Sequence, residues 1–229
     1  MKEIRILHLL PKMLSLYGEY GNVAIFEKVL KDQGYPVTVT HWNGGELEPQ
    51  AYDFIYIGSG TEDNLAAATT LLMPYQETIG ASIEGGTHWL ATGNAMAIFG
   101  QENLKVLPYS THIDANRFMG DVLTEDAFGA PIVGYVNTSC VYSNMKQPLF
   151  AIRYGKELGN EKSGDSAEGI LYQNFYGTQL IGPVLVKNPH FLGHLFHVVT
   201  GSELVLEEQS NIRKAYQVTL QELRKRAGL

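Results

Sequence analysis

YDFIYIGSGTEDN, residues 52–64, contains the strongest strand signal of the chain. A short apolar run ends in a glycine-rich turn, and a helix-forming sequence follows it. Residues 87–100, THWLATGNAMAIFG, repeat this pattern, with a predicted strand over 87–92, a sharp turn at Gly93 and Asn94, and a helix after them. Strands that alternate with helices predict a mostly parallel sheet covered on both faces.

The sequence before this stretch continues the alternation. Residues 3–10 and 36–41 are predicted strands, and the helix between them has Asn22 as its expected N-cap and Gly34 as its stop. A helical region follows residue 64, and Pro74 predicts a kink or a new start within it.

The second half is β-rich from about residue 104, with short apolar pieces separated by turns. Residues 155–169 are predicted to be a polar surface loop, and residues 188–200 and 202–226 to be closing helices. We therefore predict one α/β domain over residues 1–229, with a β-rich extension in its second half.

Composition narrows the class of protein. Hydrophobic residues make up 45% of the 229 and charged residues 18%, which is typical of a globular chain. A net charge of −7 argues against a nucleic-acid partner, because phosphate binding needs a basic patch. The single cysteine, Cys140, excludes an intramolecular disulfide. Without an apolar run that suits a signal peptide or a membrane span, a cytoplasmic protein is expected, with no membrane insertion.

Two turns are candidates for chemistry, at residues 58–63 and 92–95. Both are expected at the carboxyl ends of parallel strands, where open α/β sheets bind ligands. A strand, tight turn and helix start form a nucleophile elbow, and backbone N–H groups of two such turns can form an oxyanion hole. The alternative is that the glycines serve turn geometry only.

The order of several segments resembles the class I glutamine amidotransferases of the cobyric acid synthase group, in particular the glutaminase subunits of lipid II isoglutaminyl synthases. The resemblance covers most of the chain and implies their flavodoxin-like three-layer α/β fold. The segments that carry it are LYGEYGN (16–22), GSGTED (58–63), LATGNAMAIFG (90–100), NRFMGD (116–121), IVGYVN (132–137) and FYGTQLIGPVL (175–185).

Two departures from the family pattern concern the reaction itself. The resemblance implies a nucleophilic cysteine where this chain has Gly93, and a histidine where it has Ile181. Glycine has no side chain to attack with and isoleucine accepts no proton, so glutamine hydrolysis is predicted to be absent. We also expect a positive φ at Gly93, and expect Gly93→Cys with Ile181→His to bring a thiol and an imidazole together.

The rest of a pocket is predicted to survive. The resemblance implies a substrate-holding arginine at Arg117, for which the alternative is a surface salt bridge to Asp121 or Asp114. Tyr17, Glu19 and Asn22 are expected to be structural or to face a partner. The full set of candidate pocket residues is Gly58, Ser59, Gly60, Thr61, Glu62, Asn94, Arg117, Asn137, Cys140 and Gln179.

Substitute catalytic groups are less favoured. Cys140 is the only thiol, but a lone cysteine usually packs as a small hydrophobe. Thr92 is expected to point into the sheet, and no histidine is evident as its base. His190, His194 and His197 have helical spacing that suits a metal site, but no H-E-x-x-H-like carboxylate accompanies them. We therefore expect these three histidines to lie on the surface of a helix, and we expect neither a metal nor a cofactor.

Three functions follow from these observations. The first is a non-catalytic amidotransferase-like subunit, which the resemblance would pair with a Mur-ligase-like partner in cell-wall precursor amidation. The second is an enzyme with replaced chemistry in the same pocket, which would use Asn94, Thr61, Glu62, Arg117 or Cys140. A glutamine-like small molecule is a further candidate ligand. The third is an active glutaminase with an unrecognised nucleophile, for which Cys140 is the candidate.

Overall fold

The computed structural model describes residues 1–162, 164, 166–207 and 210–229. Within them the first sheet has six strands in the order β2-β1-β3-β4-β10-β9, all parallel except for β9. The prediction of a mostly parallel sheet is confirmed. The strands are β1 Ile4–Leu9, β2 Val37–Trp42, β3 Phe54–Ile57, β4 His88–Thr92, β9 Ile170–Tyr172 and β10 Phe175–Thr178.

Helices cover both faces of this sheet, as the alternation of elements predicted. They are α1 Gly21–Asp32, α2 Glu62–Leu72, α3 Gln76–Glu84, α4 Val184–Lys187 and α5 Pro189–Thr200, and a further helix, α6 Asn211–Ala227, lies outside these layers. Pro74 lies in a 3₁₀ turn, Met73–Tyr75, that separates α2 from α3. The prediction of a helix over 202–226 is wrong at its start, because α6 begins at residue 211. Among the described helices, none has both the length and the apolar character to cross a bilayer.

Two buried clusters lie on opposite faces of the sheet. In β3, Ile55 and Ile57 belong to one cluster with α2 and α3, while Phe54 and Tyr56 belong to the other with α1 and α5. All four residues of β3 are buried, because a parallel strand between two helical layers has no face open to water. The three-layer prediction is confirmed.

The β-rich extension is a second, antiparallel sheet in the order β6-β5-β7-β8. Its longest strand pair lies beside the first sheet, where Val136 bridges to Leu180 just after β10. The C-terminal helix α6 packs Tyr216 and Leu223 against this second sheet. Its strands are β5 Ser110–Glu125, β6 Pro131–Ser143, β7 Phe150–Tyr154 and β8 Ala167–Glu168.

The polar segment 155–169 differs from the predicted surface loop. It contains a 3₁₀ turn, Lys156–Leu158, and ends in β8, whose Glu168 is fully buried. Hydrogen bonds from Thr178 and the backbone of Gln179 hold that carboxylate. Residues 163 and 165 of this segment lie outside the described residues.

Candidate active site

Three loops meet at one edge of the parallel sheet, after β3, β4 and β10. β4 lies between the other two strands, with Ala91 opposite Ile57 and Thr92 opposite Thr178. The turn at Gly93 therefore lies between the loop that holds Ser59 and the loop that holds Ile181. This edge is the place where the sequence predicted ligand binding.

Gly93 begins the turn after β4 with a φ of +60°. The residue before it, Thr92, is still extended, and a 3₁₀ helix, Gly93–Phe99, follows directly. The predicted sharp turn and positive φ are confirmed, although the helix is 3₁₀. This left-handed conformation is the one that a nucleophile elbow imposes on its central residue, and glycine adopts it without steric cost.

The space in front of Gly93 is filled by two side chains. A Cβ built on Gly93 would lie 1.9 Å from Ser59 Oγ and 2.9 Å from Ile181 Cγ2. Ser59 and Ile181 are themselves 2% and 5% exposed. The position of a nucleophile is therefore occupied by a hydroxyl group from one neighbouring loop and an aliphatic group from the other.

The backbone of Gly60 is held by the side chain of Asn94. Gly60 N–H donates to Asn94 Oδ1 at 3.2 Å, and Asn94 Nδ2 donates to Gly60 O at 2.8 Å. The amide of Asn94, a candidate pocket residue, thus joins the two turns. A Gly60 N–H group that could serve an oxyanion hole is thereby engaged inside the protein.

A buried polar network lies beneath the turns. Asn22 Nδ2 donates to Tyr56 Oη at 2.9 Å, and Tyr56 Oη lies 2.8 Å from Thr92 Oγ1. Asn22 Oδ1 also accepts from Leu185 N at 2.9 Å. The prediction of Asn22 as an N-cap is wrong, because the residue lies inside α1 and its side chain joins α1 to β3 and α4. Thr92 points into the sheet as expected.

Glu19 is the charged group of this network and is fully buried. Its Oε2 accepts a hydrogen bond from Ser59 N, while Oε1 has no partner of good geometry among the described residues. Burial raises the pKa of Glu19 to about 7, although the hydrogen bond from Ser59 favours the carboxylate. Of the two roles expected for Glu19, its position supports the structural one.

A cavity of about 300 Å³ opens beside the turns, between α2, the 3₁₀ helix and the β5–β6 pair. Four of the predicted pocket residues line it together with neighbouring polar and apolar side chains. These four are Glu62, Asn94, Arg117 and Cys140.

Arg117 is one of the residues that line this cavity, and its side chain belongs to a chain of polar contacts. Its Nε donates to Asn137 Oδ1 at 2.6 Å, and its Nη1 lies 3.4 Å from Glu62 Oε1. Asn137 Nδ2 in turn donates to Tyr17 Oη at 3.3 Å. The alternative of a salt bridge to Asp121 or Asp114 is wrong, because Asp121 pairs with Arg226 at 2.6 Å and Asp114 accepts from Asn116.

The remaining predicted pocket residues lie outside the cavity. Thr61 caps α2 by accepting from Asn64 N at 3.2 Å, and Gly58 lies against Glu19 and Tyr56. Gln179 is fully buried and donates to Asn160 Oδ1 at 3.0 Å, so it belongs to the packing around β8. The structure does not bring Gln179 into the pocket, since its position after β10 directs it away from the cavity.

The histidines with helical spacing all lie on α5. His197 Nδ1 is 2.9 Å from Glu203 Oε1, and His190 packs edge-on against Tyr216. Desolvation lowers the pKa of His194. They line a cavity of about 460 Å³ away from the Gly93 turn, together with Asp126 and Arg213. In the part of the chain that the structure describes, no group of three or more His, Cys, Asp or Glu could hold a metal ion.

Cys140 lines the 300 Å³ cavity but is only 4% exposed. Burial raises the pKa of its thiol, and the groups that act on it are Thr138, Tyr142, Lys162 and Glu62, none of which is an imidazole.

We expect Cys140 to react with iodoacetamide at least ~10-fold more slowly in the native protein than in urea, because the thiol is protonated and buried. Mass spectrometry of timed samples would measure this, and comparable rates in both states would contradict the inertness of Cys140.

Comparison with known proteins gives two relatives by sequence. Subunit GatD of the glutamine-hydrolyzing lipid II isoglutaminyl synthase from Staphylococcus aureus (strain N315) is 30% identical over 207 residues, 85% of this chain and 84% of that protein. The GatD subunit from Streptococcus pneumoniae (strain ATCC BAA-255 / R6) is 26% identical over 201 residues, 81% of this chain and 76% of that protein. No protein-family model matches the chain.

Solved structures agree in fold. A chain in the structure of PurLQS from Thermotoga maritima superposes with a TM-score of 0.55 at 14% identity, covering 96% of this chain and all of that one. A crystal structure of a glutamine amidotransferase gives 0.51 at 14% identity, covering 84% and 98%. The predicted amidotransferase fold is confirmed, whereas the assignment to the cobyric acid synthase group stays a prediction.

Proposed function

This chain belongs to the family of GatD subunits of lipid II isoglutaminyl synthase, and on that premise we propose that it is a member without glutaminase activity that works through binding. It would serve as an amidotransferase-like subunit in the amidation of a cell-wall precursor. We place it in the cytoplasm, in keeping with its composition and its single cysteine.

One observation carries the proposal: the turn that would present a nucleophile has Gly93, and the side chain that faces it is Ile181. Thiolate attack on the side-chain amide of glutamine needs a nucleophile at the elbow and a base beside it. Removing one member of such a pair lowers the rate by roughly 10⁴–10⁶. With both members absent, hydrolysis has neither a nucleophile nor a base, and Ser59 occupies the space that a side chain at position 93 would need.

A partner protein fits the same proposal. The relatives are named as subunits, so we infer that this chain also works in an assembly, with a Mur-ligase-like ATP-dependent protein as the partner. Aromatic side chains near the site are available for contact, since Tyr17 and Tyr20 are 43% and 63% exposed. Interfaces are enriched in tyrosine because its ring combines a large apolar area with one polar group.

The second candidate is ligand binding or replaced chemistry in the 300 Å³ cavity. Its support is the cavity itself, because Arg117 and Glu62 are among its lining residues and their charges suit the carboxylate and ammonium groups of a glutamine-like molecule. The third candidate, hydrolysis by Cys140, has the weaker support, because that thiol is buried and its pKa is raised.

The test of the proposal is ammonia release from glutamine by the purified chain, with and without the Mur-ligase-like partner. We expect no release above the rate of buffer alone, and we expect the two proteins to co-purify. The S. aureus GatD subunit serves as the active control. Release that is lost in Cys140→Ser would overturn the proposal in favour of the third candidate, and release that survives this change would favour replaced chemistry.

A further inference from the structure

The side chain of Ser59 blocks the site, in addition to the absence of a cysteine at position 93 and a histidine at position 181. This inference rests on the proposed loss of hydrolysis. Its Oγ lies 1.9 Å from the ideal Cβ position of residue 93, and its Cβ lies 3.2 Å from the same point. No side chain can occupy position 93 while Ser59 keeps this conformation, because real Cβ atoms do not approach other heavy atoms this closely.

The Ser59 loop has no room to retreat. Its N–H donates to buried Glu19, and Ser59 Oγ donates to Thr92 O at 3.4 Å. On either side of it, a Cβ on Gly58 would lie 2.9 Å from Glu19 Oε2, and one on Gly60 would lie 2.4 Å from Leu14 Cδ2. The backbone of this loop is therefore packed against the protein on both sides of Ser59.

Asn94 holds the loop from the other turn. Its two hydrogen bonds to Gly60 join the residue after Gly93 to the residue after Ser59. The two turns consequently form one closed unit, in which the distance between Ser59 and Gly93 is set by paired hydrogen bonds. A side chain at position 93 would have to turn Ser59 Oγ away from Thr92 O or break this pair of hydrogen bonds.

We propose that Ser59 is the third residue that determines the closed state of this site. Restoring a cysteine at 93 and a histidine at 181 will not by itself create a reactive thiol, because Ser59 will displace or bury it. Removing the serine side chain as well opens the space that the new thiol needs.

The experiment compares Gly93→Cys/Ile181→His with Ser59→Gly/Gly93→Cys/Ile181→His. Both variants have the same residue at φ +60°, so the backbone strain at position 93 cancels between them. The readout is the rate of iodoacetamide alkylation at position 93, located by peptide mass spectrometry and thus separate from Cys140. We expect the variant with Ser59→Gly to react about tenfold faster, because its thiol is no longer crowded by the serine. Equal rates would overturn the inference.

A second measurement, of stability, tests the inference if the cysteine variants fold too poorly for alkylation to be compared. Urea midpoints of wild type, Ser59→Gly, Gly93→Ala and Ser59→Gly/Gly93→Ala form a double-mutant cycle. The added methyl group should lower the midpoint less in the Ser59→Gly background than in wild type, and additive changes would reject the inference. Failure of the proposed function would instead appear as ammonia release by the wild-type protein, which neither measurement here detects.

Discussion

Glu19→Gln is expected to remove about 2 kcal/mol of the pH dependence of the unfolding free energy between pH 5 and pH 8. Glu19 is buried, and its pKa is raised to about 7 from the ordinary value of 4.5. The folded state therefore binds a proton that the unfolded state has released between these two values. The stability contributed by Glu19 is complete below pH 4.5 and is lost as pH rises to about 7.

Urea unfolding at pH 5 and pH 8 measures this prediction for wild type and variant. Glu168 has the same raised pKa of about 7, and His8, whose pKa burial lowers to about 4, acts in the opposite direction. The difference between wild type and variant isolates Glu19 from both. Glu222→Gln, at an exposed carboxylate on α6, is the control for the removal of one carboxyl group. If the unfolding free energy of Glu19→Gln depended on pH as strongly as that of wild type, the raised pKa of Glu19 would be contradicted.

Asn188→Ala is expected to destabilise the protein by about 2–4 kcal/mol. Asn188 is fully buried at the start of α5 and makes three hydrogen bonds. Its Oδ1 accepts from Val133 N at 2.8 Å, and its Nδ2 donates to Val133 O and Val184 O at 2.9 Å each. Alanine leaves both backbone groups of Val133 unpaired in the interior, where each costs the full desolvation penalty.

Denaturation in urea at pH 7 measures the loss, and the matched control is Asn116→Ala. Asn116 is exposed, and among the described residues its side chain bonds only to nearby Asp114, so its removal should change the unfolding free energy by less than ~0.5 kcal/mol. Asn188→Asp keeps the acceptor for Val133 N and loses the donors, so it separates the two halves of the interaction. A cost below about 1 kcal/mol for Asn188→Ala would mean that this link contributes little.

Much of the fold could be predicted because local patterns carry it. The run FIYI in β3 is apolar at every position, as expected of a strand between two helical layers. Gly34 and Gly93 have positive φ values of 85° and 60°. A few neighbouring residues are enough to predict the turn at each of these glycines. The predicted start of α6 is wrong because residues 203–207 have the composition of a helix but no regular structure.

The candidate site was only partly predictable, because polar side chains have partners far away in sequence. Asn22 resembles an N-cap, yet its partners are Tyr56 and Leu185. Arg117 has acidic residues close in sequence, yet it meets Glu62 and Asn137. Gln179 lies one residue after β10 and was expected in the pocket, but its side chain turns towards Asn160.

The sequence by itself determined that residues 93 and 181 provide neither a thiol nor an imidazole, since the identity of a side chain does not depend on the fold. It also determined the strand, turn and helix pattern, because steric limits on φ and ψ act over a few residues. Only the tertiary structure decided that Ser59 and Ile181 share the space in front of Gly93 and that Asn94 binds Gly60. These contacts join residues 34 or more positions apart, and they exist because the strand order places β4 between β3 and β10.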